Sequence, residues 1–223
     1  MPREVPPTMT TIGIIGAGHI GSNVARAAIA KGYDVLISNS RGPESLTELI
    51  HELGSRAEAV DAAQAASDGD IVLVAIPLGK IASLPVDALA GKIVIDANNY
   101  YPQRDGRIEA LDANEKTTSE LLQDLVPSAK VVKAFNNILA AQIPTDGSPA
   151  GTPDRRALPI AGDDESAKAH VIALLDGLGY DAVGVGPLAE SWRVERDTPA
   201  YGKRTTRAEL EAILPTVERV QQQ

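Results

Sequence analysis

Thr11-Ile12-Gly13-Ile14-Ile15-Gly16-Ala17-Gly18-His19-Ile20-Gly21 is the stretch that decides the fold. Residues 11–15 form an apolar run, as expected of a strand covered on both faces. Glycines 16, 18 and 21 follow as G-x-G-x-x-G, and an Ala-rich helical run over residues 24–30 ends at Gly32. Strand, glycine turn and helix, in that order, are the phosphate-binding start of a βαβ unit. Gly16 permits the tight turn, Gly18 lets backbone approach a pyrophosphate, and Gly21 lets the helix pack closely. A helix starting near His19 aims its free N–H groups and positive dipole end at the phosphates. Gly16, Ala17, Gly18, His19 and Ile20 are therefore candidate dinucleotide contacts.

A second strand over residues 33–37 runs into Ser38-Asn39-Ser40-Arg41. A carboxylate at this place would bind the ribose hydroxyls of NAD. Three small polar side chains and an arginine suit the 2′-phosphate of NADP. Ser38, Asn39, Ser40 and Arg41 are its candidate ligands.

Working outward, strand and helix signals alternate along the chain, the pattern of a doubly wound parallel α/β sheet. Further strands are expected over residues 56–60, 70–77, 92–99, 130–137, 157–161 and 182–185. Helices are expected over residues 45–53, 61–67 and 117–126, with Thr117 or Thr118 as N-cap. Another runs from Asp163 or Asp164 to Leu178. The polar loop 144–153 divides a dinucleotide-binding part, residues 11–143, from a smaller C-terminal part, residues 144–223. That second part serves substrate binding or dimerisation, and either extends the first sheet or stands alone.

Bulk properties narrow the partners. A net charge of −9 over 223 residues argues against nucleic acid or an anionic membrane surface. Cysteine is absent, and His19, His51 and His170 lack ligand spacing, so no metal site is expected. No run is long and apolar enough to span a bilayer. Residues 1–10, with three prolines and no apolar core, read as a disordered tail, and residues 221–223 as a frayed end. A cytoplasmic protein acting on a small molecule is the expectation.

Ligands of open α/β sheets sit at the carboxyl ends of the strands. Ala75-Ile76-Pro77 should pass over the pyrophosphate and adenosine. Ala97-Asn98-Asn99 and Phe135-Asn136-Asn137 should surround the nicotinamide, Ala97 and Asn98 on the cofactor side. Asn99, Phe135, Asn136 and Asn137 face the second substrate. Side-chain amides offer both donors and acceptors to a carboxamide, although Asn is also a common turn former. Asp96 reads as structural. Trp192 is a stacking surface for the substrate or a filler of the core, and Arg155-Arg156 read as solvated surface charges. Lys133 lies inside a strand with no His or Tyr beside it, and no acid/base dyad stands at the strand ends. A hydride exchange between two ring cofactors needs little beyond stacking them, so this lack favours such an exchange. Reduction of a small carbonyl or imine, and a non-catalytic NADP sensor, remain open.

The glycine turn, residues 38–41, Ala75-Ile76-Pro77, Val131-Val132-Lys133-Ala134-Phe135-Asn136-Asn137, Pro159-Ile160-Ala161-Gly162-Asp163-Asp164 and Gly186-Pro187-Leu188 together resemble the NADP oxidoreductases dependent on the deazaflavin coenzyme F-420. The resemblance runs from Ile12 to about Trp192. It implies direct hydride passage between NADPH and a deazaflavin co-substrate, with residues 38–41 on the 2′-phosphate. It also implies a cytoplasmic homodimer whose smaller C-terminal part helps form the deazaflavin cleft.

Overall fold

The structure, a computed structural model, describes residues 10–220; all but the last residue of the tail expected at residues 1–10, and the end at 221–223, lie outside the described residues. Strands β1 (Thr11–Ile15), β2 (Asp34–Ser38), β3 (Ala57–Ala59), β4 (Ile71–Val74), β5 (Ile93–Asp96), β6 (Lys130–Lys133), β7 (Ala157–Gly162) and β8 (Asp181–Gly186) form one eight-stranded sheet of order β3-β2-β1-β4-β5-β6-β7-β8. The chain order reverses between β1 and β4, and ligand crevices of such sheets open at that point. The first six strands are parallel. Strand β7 runs antiparallel to β6 and touches it in register only at Val132↔Gly162 and Lys133↔Ala161, while β8 is parallel to β7. The expected all-parallel sheet is thus mixed at its C-terminal edge, and that part of the chain continues the first sheet.

Helices α1 (His19–Ala30), α2 (Thr47–Leu53), α3 (Ala62–Asp68), α4 (Pro102–Asp105), α5 (Glu109–Asp112), α6 (Thr118–Leu125), α7 (Glu165–Leu178) and α8 (Arg207–Ile213) complete the regular structure. Alternation along β4 shows why its strand is apolar throughout. Ile71 and Leu73 pack on one face with Ile12, Ile14, Val24 and Ala28. Val72 and Val74 pack on the other with Ala65, Leu89 and Leu122. In α1 the buried stripe is Gly21, Val24, Ala25 and Ala28, one helical face. Thr117 and Glu120 form a capping box at the start of α6, and Asp164 caps α7.

Arg155 and Arg156 are a correction: both are buried. Arg155 Nη1 pairs with Asp176 and Asp181 at 2.8 Å each, and its Nε donates to the carbonyls of Ser148 and Gly179. Arg156 pairs with Asp146 at 2.7 Å. Arg155 ties loop 144–153 to the end of α7 and Arg156 is held by Asp146 of that loop, which sequence polarity alone does not reveal.

Between β5 and β6 lies a dry ion pair. Lys133 Nζ stands 3.2 Å from Asp96 Oδ2, and both side chains are 0% exposed. Lys133 also donates to the Asn98 carbonyl and to Thr118 Oγ1, each at 2.6 Å. Asp96 accepts from Ser119 Oγ at 2.6 Å and from the Asn98 N–H at 2.9 Å. Removing one partner of a buried pair strands the other charge, at a cost of about 3–5 kcal/mol. Lys133→Met should lower stability by that amount in urea unfolding, and Lys133→Met with Asp96→Asn by less. A single-variant loss under about 1 kcal/mol would contradict this placement.

Candidate active site

The carboxyl ends of β1, β2, β4, β5 and β6 frame two cavities that share Gly18, Ala75, Ile76 and Pro77. One, about 670 Å³, reaches out to Asn39, Ser40 and Arg41. The other, about 430 Å³, is a chamber under Ala97, Asn98, Asn99 and Asn136. Together they make one groove crossing the strand-order reversal, of the size and place of a ligand site.

The glycine turn forms the wall between them. Gly16 has φ +112°, and a Cβ there would sit 2.3 Å from the Ala75 carbonyl oxygen. A Cβ on Gly21 would sit 1.8 Å from the Gly16 carbonyl, so this glycine fits the helix against the turn itself. A Cβ on Gly18 would meet nothing within 4 Å: it would project into the space where a pyrophosphate fits. Gly18 caps α1 without a side-chain bond, and the first turn carries no acidic residue. Its leading N–H groups and dipole are therefore left for an anion.

At the outer end, Asn39 Oδ1 accepts the Arg41 N–H at 2.9 Å and its Nδ2 donates to Ser45 Oγ at 2.8 Å. Asn39 thus shapes the loop that presents Arg41. Lys80 and Ser83 line the same cavity, and neither Arg41 nor Lys80 has an ion-pair partner among the described residues. Sequence reasoning missed both Lys80 and Ser83, which follow Pro77 within six residues on a 3₁₀ turn, Leu78–Ser83. Ser38 is corrected: it is buried and its hydroxyl donates to the Ile14 carbonyl at 3.1 Å, which spends it on joining β2 to β1.

In the inner chamber Asn98 is 3% exposed, yet its Nδ2 and Oδ1 have no partner. The buried Asn136 Oδ1 also lacks one, while Asn136 Nδ2 donates to the Val194 carbonyl at 2.7 Å. Asn99 Nδ2 donates to the Asn136 carbonyl at 2.8 Å. Buried polar groups are almost always paired, so orphaned amides mark a place for a ligand. His19, Ile20 and Leu139 stand at the rim.

Three expected substrate residues fall elsewhere. Phe135 is fully buried in the core at φ +61°, a left-handed turn that sends its ring inward. Asn137 is buried off the chamber, and its carbonyl accepts the Gly202 N–H at 3.0 Å. Trp192 lines neither cavity of the groove. Arg193 stacks on its ring at 4.3 Å and Arg219 stands at 6.0 Å, beside Tyr100 and Leu111.

In their place stand two tyrosines. Tyr101 and Tyr201 line the chamber with their hydroxyls 3.0 Å apart. Burial, and then the bond to Tyr101, push the Tyr201 phenol well above its ordinary range. The sequence signal for Tyr101 is its place two residues after Asn98-Asn99; nothing local marks Tyr201.

Residues 11–100 match the family of NADP oxidoreductases described as coenzyme F-420-dependent. A hypothetical protein from Sinorhizobium meliloti has a TM-score of 0.76 at 34% identity, over 88% of this chain and 95% of that one. An Arthrobacter protein, ascribed F-420-dependent NADP reductase activity, has a TM-score of 0.70 at 24% identity, over 93% and 91%. That likeness is one of fold alone. The Escherichia coli protein YjhV is 40% identical over 53 residues, which is 24% of this chain and 39% of that protein's length.

The unpaired cations, the open backbone at Gly18 and the orphaned amides fit a dinucleotide carrying an extra phosphate. A charge-assisted bond to phosphate contributes about 1.5–3 kcal/mol. Arg41→Ala and Lys80→Ala should each weaken NADPH binding about tenfold to hundredfold and leave NADH binding nearly unchanged in fluorescence titrations. Equal losses for both cofactors would remove these residues from the phosphate site.

Proposed function

Because this chain belongs to the family of NADP oxidoreductases described as coenzyme F-420-dependent, and so is an NADP-dependent oxidoreductase, we propose that it passes a hydride between NADPH and a deazaflavin or flavin-like ring. One observation supports the reading best: a single groove with free cations at its outer end and buried, unpaired amides at its inner end.

Arg41, with Lys80 on the same cavity, would hold the 2′-phosphate, and Asn39 and Ser40 would add neutral hydrogen bonds. The N–H groups opening α1 would take the pyrophosphate, with Ala75, Ile76 and Pro77 lying over it. Asn98 would turn its free Nδ2 and Oδ1 to the nicotinamide carboxamide, one acting as donor and the other as acceptor. Asn136 Oδ1 and Asn99 would border the neighbouring space, where the second ring enters. NADPH supplies the hydride when bound. What the protein's own residues contribute is orientation of two rings and exclusion of water between them.

For the acceptor, the support is the family's description together with the walls of the chamber. Tyr101, Tyr201, Ile138 and Leu139 offer aromatic and apolar surface for a planar ring. A second reading, reduction of a small carbonyl or imine, gains from the paired phenols. They are a proton source that the sequence reading did not include.

Mixing the protein with NADPH and, separately, an oxidised deazaflavin, FMN and a panel of carbonyls and imines separates the two. Rapid bleaching of the dihydronicotinamide band by the deazaflavin or FMN alone is the expected result. Turnover of the carbonyl and imine panel, with neither ring accepting a hydride, would overturn the ring-acceptor assignment.

A further inference from the structure

We propose that Tyr101 is the proton donor of this site and Tyr201 its positioning partner, so that the acceptor takes a hydride at one atom (a carbon, or the central-ring nitrogen of a flavin) and a proton at a conjugated nitrogen or oxygen. This rests on the hydride-transfer reading above and deepens it.

Place comes first. Tyr101 and Tyr201 line the same chamber as the unpaired Asn98 and Asn136. Both are fastened to the strand ends that hold those amides. The Tyr101 N–H donates to Asp105 Oδ2 at 2.9 Å, and Arg104 Nη2 donates to the Asn99 carbonyl at 3.0 Å. The residue after Tyr201, Gly202, donates its N–H to the Asn137 carbonyl at 3.0 Å. A donor held by the same backbone as the amides keeps its distance to the reacting atoms.

Direction comes second. Burial keeps the Tyr201 hydroxyl protonated. Either hydroxyl can donate along the 3.0 Å contact; with Tyr201 as the donor, the arrangement proposed here, the Tyr101 O–H is left for the chamber. Anchoring comes third. The guanidinium of Arg104 lies 4.7 Å from the Tyr101 ring centroid and that of Arg196 lies 4.8 Å from it. Each is also paired with a carboxylate, Asp105 and Asp197. Two guanidiniums stacked near one ring hold its plane in place. His19, the other titratable group on the chamber, is exposed at the start of α1, where the phosphates belong.

The step balances. Tyr101 gives its O–H proton to the acceptor's conjugated nitrogen or oxygen while the hydride goes to the acceptor's carbon, or to the central-ring nitrogen if the acceptor is a flavin. NADPH is oxidised to NADP⁺, the acceptor is reduced by two electrons, and the Tyr101 phenolate recovers a proton from water at the mouth of the chamber.

The test uses Tyr101→Phe and Tyr201→Phe with whichever acceptor the wild type turns over. NADPH affinity is read by fluorescence titration and hydride transfer by single-turnover stopped flow in water and in deuterium oxide. Tyr101→Phe should bind NADPH as the wild type does, slow transfer by about 10²–10⁴-fold, and lose the solvent isotope effect. Tyr201→Phe should slow transfer less and keep an isotope effect. Wild-type transfer with an unchanged isotope effect in Tyr101→Phe overturns the proposal and leaves the ring-acceptor reading untouched. A wild type that reduces only imines overturns the ring acceptor and leaves the proton donor to be judged on the imine. If Tyr101→Phe fails to bind NADPH, Arg196→Gln decides: slowed transfer at unchanged NADPH affinity supports the proposal, and unchanged transfer rejects it.

Discussion

The dry ion pair between Lys133 and Asp96 is the constraint on which the inner half of the site depends. The two residues lie directly across from each other in the register of β5 and β6. Lys133 Nζ reaches past Asp96 to the carbonyl of Asn98 and to Thr118, and Thr118 in turn donates to Glu195 Oε1 at 2.8 Å. One ammonium therefore locks the ends of two strands, the start of α6 and the segment after Trp192. Such a pair gives little net stability over an apolar replacement, because desolvating both charges offsets their attraction. Its effect is geometric. It fixes the peptide of Asn98, whose side-chain amide is buried without a protein partner on the chamber.

From that point the geometry propagates outward along backbone. Asn98 leads to Asn99, which holds the Asn136 carbonyl, and to Tyr101, held in turn by Asp105. Asn136 donates to Val194 and the Asn137 carbonyl receives Gly202, so the late segment carrying Tyr201 is drawn to the same strand ends. The outer half is set differently. There the close contact of Gly16 with Ala75 and of Gly21 with Gly16 brings the β1 turn against the end of β4. The two halves meet on residues 75–77, and this is why one groove runs across the strand-order reversal.

The outer half and the fold were legible in sequence because their signals are local. An apolar strand, three glycines at fixed spacing and an Ala-rich helix specify a βαβ unit without reference to distant residues. Alternating elements specify the doubly wound sheet, and Thr117 with Glu120 announces the start of α6. The misreadings share one cause: a side chain's direction depends on partners far away. Ser38 lies beside residues 39–41, which line the outer cavity, yet alternation along β2 turns it inward to Ile14. Phe135 sits in a left-handed turn that periodicity does not encode. Arg155 looks solvated until Asp176 and Asp181 arrive from α7 and β8, and Arg156 until Asp146 and Gln142 fold over it. The antiparallel β7 depends on the course of the loop before it. Tyr101 and Tyr201 are a hundred residues apart, and only folding makes them a pair.

The unpaired amides also explain how the chamber selects what it admits. A buried polar group without a partner costs about 1–3 kcal/mol. Asn98 presents a donor and an acceptor without a protein partner, so a ligand that excludes water without pairing them incurs that cost. A ligand offering one acceptor and one donor in a plane avoids it; an isostere lacking either does not. Discrimination of this kind is steep, because a site built for hydrogen bonds penalises the molecule that cannot make them. The cations at the outer end act in the opposite manner. Arg41 and Lys80 are exposed to solvent in a chain of net charge −9, so they attract phosphate locally within an acidic surface field. The outer end thus selects by charge and the inner end by hydrogen-bond complement. A molecule that fills the whole groove must satisfy both, at the spacing the glycine turn sets.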